Sequence, residues 1–134
     1  MAPETELSKL LAGMRPQLQP GEFVFCYVSP ERFADLRVEP VGWFREPEGI
    51  TVILRRQAAE SVGLACEFPS RMITLGVHSS LHAVGFLAAV LARLAAAGIS
   101  VNAVSGYHHD HLFVPAACAD AALSALHALS AEAR

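Results

Sequence analysis

The stretch from Ser80 to Ala97 constrains this chain more than any other. Ala, Leu and Arg dominate it, and Gly98 stands where a helix stop belongs. Strand-like runs flank it at Met72–Val77 (MITLGV) and Ile99–Tyr107 (ISVNAVSGY). The pattern predicts a helix between two strands. His111–Val114 adds a partner strand after a tight turn, Pro115 stops it, and Asp120–Leu129 forms a last helix on Leu123, Leu126 and Leu129. The order of this half is β-α-β-β-α.

The first half reads similarly. Leu7, Leu10, Leu11 and Met14 fall at helical spacing and predict a short leading helix, ended by Pro16, Pro20 and Gly21. Glu22–Val28 (EFVFCYV) reads as a buried strand. Ser29-Pro30 then opens a helical turn over Glu31–Leu36, with Ser29 in the capping position. Val41–Arg45 and Ile50–Arg55 form a hairpin around Glu46-Pro-Glu-Gly49. A short helix over Gln57–Gly63 and a strand starting near Leu64 complete the half. Two similar orders in tandem suggest a duplicated β-α-β-β-α-β unit, which is the ferredoxin-like arrangement of the α+β class.

The long helix carries two apolar stripes. Val84, Leu87, Leu91 and Leu94 are expected to cover the sheet. Phe86, Val90 and Ala97 lie about 100° away on the 3.6-residue period and are expected to be buried against the other half or another subunit. With 53% hydrophobic residues in 134, a symmetric homodimer, or a larger closed oligomer built from dimers, is the expected assembly.

Composition excludes several functions. A net charge of -3 with Arg55-Arg56 as the only adjacent basic pair gives no stripe for nucleic acid. The most apolar window, Ala83 to Ile99, is interrupted by Arg93 and falls short of the roughly 20 residues of a membrane span. The acidic start shows no targeting signal, and three scattered cysteines (Cys26, Cys66, Cys118) read as reduced thiols of a cytoplasmic protein. Dinucleotide, phosphate-loop and nucleophile-elbow motifs are absent, so neither a catalytic residue nor a cofactor is expected.

Two regions invite a ligand. Helix-start amides after His78 attract an anion, Ser79 and Ser80 add hydroxyls, and Gly85 permits close approach of backbone to a ligand. The same hydroxyls suit a simple helix cap. His108, His109, Asp110 and His111 are contiguous, with His78 and His82 four apart. Alternate strand residues share a face, so only His109 with His111, or His108 with Asp110, converge. Closed zinc spacings are missing. The cluster therefore reads as a polar hairpin without metal, in which replacing His109 and His111 by Ala shifts stability by roughly a kcal/mol or less. A small metal-dependent enzyme built around His108–His111 is the alternative.

The run from Val77-His-Ser-Ser-Leu-His-Ala-Val-Gly through the helix to Gly98-Ile-Ser-Val-Asn102 resembles the core of ACT domains. Leu7–Val28, with its Met-Arg-Pro turn and Gly-Glu-Phe-Val-Phe strand, looks like the matching N-terminal part, and the His-His-Asp-His-Leu-Phe-Val-Pro segment fits short bacterial proteins with two such units. The resemblance implies two ACT units, residues 1–68 with the leading helix and residues 69–134, each an antiparallel sheet with helices on one face. It implies a regulatory sensor of amino acids or similar effectors, bound where units meet. The family's contact elements map onto the loop Val77–Gly85, with His78, Ser79, Ser80, Val84 and Gly85, and onto Asn102. An acidic residue often follows the first strand in that family; here His78-Ser79-Ser80 stands instead.

Overall fold

The computed structural model describes residues 3–134, which divide into two compact units. In chain order the elements are α1 (Leu7–Ala12), β1 (Pro16–Leu18), β2 (Phe23–Val28), α2 (Pro30–Ala34), β3 (Gly42–Glu46), β4 (Gly49–Arg55), α3 (Arg56–Ser61), β5 (Cys66–Leu75), α4 (Phe86–Ala96), β6 (Asn102–Ser105), β7 (Asp110–Pro115) and α5 (Ala119–Glu132), the last preceded by a 3-10 turn at Ala116–Cys118. The fold is α+β, with antiparallel pairing and ferredoxin-like order in both units.

Pro20–Ser70 forms one unit. Its strands run β3-β4-β2-β5, with every pair antiparallel. The chain order β2-α2-β3-β4-α3-β5 is thus a complete β-α-β-β-α-β circuit. Ser29 caps α2, its Oγ accepting from the Arg32 amide at 3.1 Å, and Pro30 supplies the pre-set backbone of the first turn. Val24, Cys26, Val28, Ile50, Val52 and Leu54 alternate inward and make the core with Ala59 and Leu64.

The other unit joins the residues up to Gln19 with Arg71–Arg134. Its strand order is β1-β5-β7-β6, with β1 antiparallel to β5 (Pro16 opposite Leu75) and β6 antiparallel to β7. The circuit β5-α4-β6-β7-α5, which starts on the last strand of the first circuit, lacks a fourth strand, because among the described residues no strand follows α5. The leading segment supplies it. Phe68, at a φ of +58°, breaks the regular course of β5 near the point where its two shares part. Leu10 and Met14 are fully buried in the core with Ile73, Leu75, Phe86 and Leu126. Ser130 Oγ donates to the Ala12 carbonyl at 3.0 Å and ties α5 to the end of α1. In space, then, the leading helix belongs with the C-terminal half of the chain, whereas chain order attaches it to residues 1–68.

The buried face of α4 draws on both expected stripes, Leu94 from the first and Phe86 and Val90 from the second. Phe86, Val90 and Leu94 are the buried face of α4, while Leu87 and Leu91 pack at its flank. Val84, in the stripe expected to cover the sheet, is 85% exposed, and Ala97 is exposed. The exposure of Val84 follows from the helix start. Gly85 holds a φ of +90°, which L side chains rarely adopt, so the segment from Ser80 stays non-helical and Val84 never enters the helical phase. Among the described residues, no helix is long and apolar enough to cross a membrane.

Candidate functional site

β5 ends at Leu75, and the segment down to Gly85 is held as a loop by the leading arm. The Glu4 amide donates to the His78 carbonyl at 2.9 Å, and the Ser80 amide donates back to the Glu4 carbonyl at 3.0 Å. The Ser80 amide is therefore already engaged, contrary to its expected availability to an anion. Ser80 Oγ accepts from the His82 amide at 3.0 Å, a local turn that competes with helix. Neither Ser79 nor Ser80 caps α4: its N-cap is Gly85, with no side-chain cap. The free donors of a helix start are accordingly those of the first turn after Gly85. Gly85→Val forces a β-branched residue into the left-handed region and is expected to lower stability by about 1–3 kcal/mol in the ligand-free protein, read as a fall in denaturation midpoint.

Over this start lies a cleft of about 200 Å³, lined by Ser79, Ser80, Ala83, Phe86, Ser105 and Asp110, among others. Ser79 is 8% exposed and Asp110 7%. Ser105 and Asp110 face each other across the β6–β7 hairpin, and Ser105 Oγ donates to Asp110 Oδ1 at 2.7 Å. The cleft thus sets a buried carboxylate and several hydroxyls near uncapped helix amides. Such a site offers a place for a cation and a place for an anion within one cleft.

A second cleft of about 500 Å³ shares Ser80 and Leu81 with the first and adds Pro3, His78, His82, Tyr107 and His108. The His78 and His108 rings lie 5.0 Å apart, as do Tyr107 and His108, while His109 and His111 are 6.5 Å apart. Among the described residues, no group of three or more His, Cys, Asp or Glu side chains is placed to hold a metal ion. His111 is half-buried, and its Nδ1 lies 3.0 Å from Thr74 Oγ1. Burial pushes the His111 pKa below 6.5, the His109 charge pushes the same way, and Asp110 opposes them.

A histidine with a lowered folded pKa favours the folded state as the neutral imidazole. Its contribution is complete above pH 6.5 and is lost as pH falls through the folded value. Stability is therefore expected to drop on acidification below pH 6.5, less so in His111→Gln, as checked by urea unfolding across pH. His111→Ala also strands the Thr74 hydroxyl, which is 8% exposed, and an unsatisfied buried group costs about 1–3 kcal/mol. That exceeds the roughly 1 kcal/mol or less of a surface change, because this ring holds a core hydroxyl.

Of the sequence-predicted residues, Ser79 and Ser80 line the first cleft, Gly85 precedes the helix turn that borders it, and His78 lines the second. Val84 points to solvent. Asn102 pairs with Phe113 at the opposite end of β6 from Ser105 and lines neither cleft. Ser105 and Asp110 were not expected there. The signal for Asp110 is its phase: it shares a face of β7 with the buried Leu112 and Val114, an inward position that a carboxylate rarely takes without a use.

The sequence matches the ACT domain over residues 2–71 and again over residues 67–128. The chain belongs to the ACT domain family. A Vibrio cholerae protein of unknown function, described as a possible transport protein, is similar across both lengths: 43% identity, 92% of this chain, 95% of that one, and a TM-score of 0.81. An Agrobacterium tumefaciens protein shares the fold at 14% identity and a TM-score of 0.68, over 86% of this chain and 87% of its own. So does the regulatory subunit of aspartate kinase from Thermus thermophilus, at 13% identity and a TM-score of 0.61, over 87% of this chain and 98% of its own. No curated protein matches the sequence. Both ACT units of this chain carry the same strand order, but among the described residues only the C-terminal one sets a buried acid beside a long helix start.

Proposed function

We propose that this ACT protein is a cytoplasmic sensor that binds a small amphoteric metabolite, an amino acid being the class its cleft fits best, and that it acts by regulation rather than catalysis. The observation that carries the reading is the buried Asp110 carboxylate in one cleft with the uncapped start of α4. An α-ammonium group pairs with Asp110, and an α-carboxylate takes the first-turn amides of α4. The Ser79, Ser80 and Ser105 hydroxyls donate or accept around them. His78 lines the neighbouring cleft, whereas Val84 faces solvent and Asn102 lies at the far end of β6. ACT membership and the aspartate kinase regulatory neighbours support the regulatory class.

The test is a thermal-shift screen of L-amino acids and related acids. Ligand at about 100 times Kd is expected to add about 2.7 kcal/mol of stability. No shift with any of them at millimolar concentration overturns the sensor reading.

A homodimer completes the reading, now on different residues. Phe86 and Val90 are core, so the assembly rests on Leu81, Val84 and Tyr107, which are 63%, 85% and 77% exposed beside the two clefts. Light scattering at micromolar concentration is expected to give twice the mass of 14.3 kDa. Val84→Glu is expected to shift that mass toward the monomer, and a monomer in the unaltered protein contradicts the assembly.

A further inference from the structure

β2 and β5 place Cys26 directly opposite Cys66 in the antiparallel ladder of the Pro20–Ser70 unit. Directly opposed residues of such a pair send their side chains to the same face, with Cα atoms about 4.5 or 5.5 Å apart. A disulfide spans Cα separations of about 4.4–6.8 Å. The register alone therefore brings the two thiols within bridging reach. They differ in access: Cys66 is exposed at the start of β5, while Cys26 is 4% exposed and packs in the core with Val24 and Val28. A cleft of about 480 Å³ opens on both, lined also by Phe25, Thr51 and Glu67. Burial, and then the Cys66 charge, push the Cys26 thiol above its ordinary pKa, so a reaction at this pair starts at Cys66.

We propose that Cys26 and Cys66 form an oxidative modification site that takes small-molecule disulfides such as oxidised glutathione. The Cys66 thiolate attacks one sulfur of the incoming disulfide, forming a mixed disulfide and releasing one equivalent of small thiolate. Cys26 then loses its proton to solvent and attacks the Cys66 sulfur, releasing the second equivalent. Two protein thiols are oxidised, one external disulfide is reduced to two thiols, and a cross-strand bond closes between β2 and β5. The second step is the slower one below the Cys26 pKa, and it speeds up with rising pH.

Oxidised glutathione is added to the reduced full-length protein, followed by non-reducing peptide mapping and thiol counting. The expected product is a Cys26–Cys66 cross-linked peptide with two of the three thiols lost and Cys118 free. Cys66→Ser is expected to leave Cys26 unmodified. Cys26→Ala, which keeps the core apolar, is expected to stop at the glutathione adduct on Cys66. Dithiothreitol returns all three thiols in the unaltered protein. Accumulation of a stable Cys66–glutathione adduct with Cys26 still free in the unaltered protein overturns the proposal, as does cross-linking between copies in place of the internal bond.

Discussion

Removing the residues before Pro20 is expected to unfold the C-terminal unit. That segment contributes β1, which pairs with β5 from Pro16 opposite Leu75 to Leu18 opposite Ile73, and it contributes Leu10 and Met14, both at 0% exposure. Truncating one such core side chain to Ala costs about 2–5 kcal/mol. Losing both, with the edge ladder and the Ser130 hydrogen bond to Ala12, reaches the whole stability of a typical domain, about 5–15 kcal/mol. Amide exchange is the readout. In the shortened chain, amides of β7 and α5 are expected to lose their protection. Leu10→Ala in the full chain is expected to lower stability by about 2–5 kcal/mol. Native protection of β7 and α5 without the leading segment contradicts the assignment of β1 as their missing strand.

The second large effect concerns the ligand. Asp110→Asn keeps an oxygen for Ser105 Oγ, so the hairpin retains its hydrogen bond, but the charge is gone. A hydrogen bond to a charged group is worth about 1.5–3 kcal/mol, which corresponds to a loss of roughly 10–150-fold in affinity for a ligand carrying an ammonium group. At about 100 times the Kd of the unaltered protein, the stabilisation by such a ligand is expected to fall from about 2.7 to about 0.3–1.4 kcal/mol. Asn102→Ala, at the far end of β6, is expected to leave it nearly unchanged. An unaltered midpoint shift in Asp110→Asn contradicts the assigned role of the carboxylate.

The parts of the fold that follow local rules were legible in the sequence. Ser29-Pro30 announced a capped helix, Glu46-Pro-Glu-Gly49 a hairpin, and Gly98 a helix stop, and each takes that form. What was not legible depends on partners distant in sequence. Three residues at Pro16–Leu18 hold no strand pattern of their own, and only the open edge of β5 makes them one. Ala- and Leu-rich composition promised helix from Ser80, yet a glycine's φ is a tertiary choice: the Glu4 bridge holds the loop open, and α4 starts at Phe86. That shift left Val84 outside the helix. Half of the candidate site was likewise visible. Ser79 and Ser80 stand out as hydroxyls in a loop, whereas Ser105 and Asp110 join them only because the β6–β7 hairpin folds back beside that loop.

One cleft of the C-terminal ACT unit is proposed to hold an amphoteric small molecule. The most direct test is a titration of isotopically labelled protein, following amide resonances, with the amino acid that gives the largest thermal shift. Saturable shifts are expected, centred on Ser79, Ser80, Phe86, Leu87, Ser105 and Gly106, and in Asp110→Asn they are expected to need roughly 10–150-fold more ligand to saturate. Shifts that saturate elsewhere in the chain while these six residues stay unmoved contradict this placement.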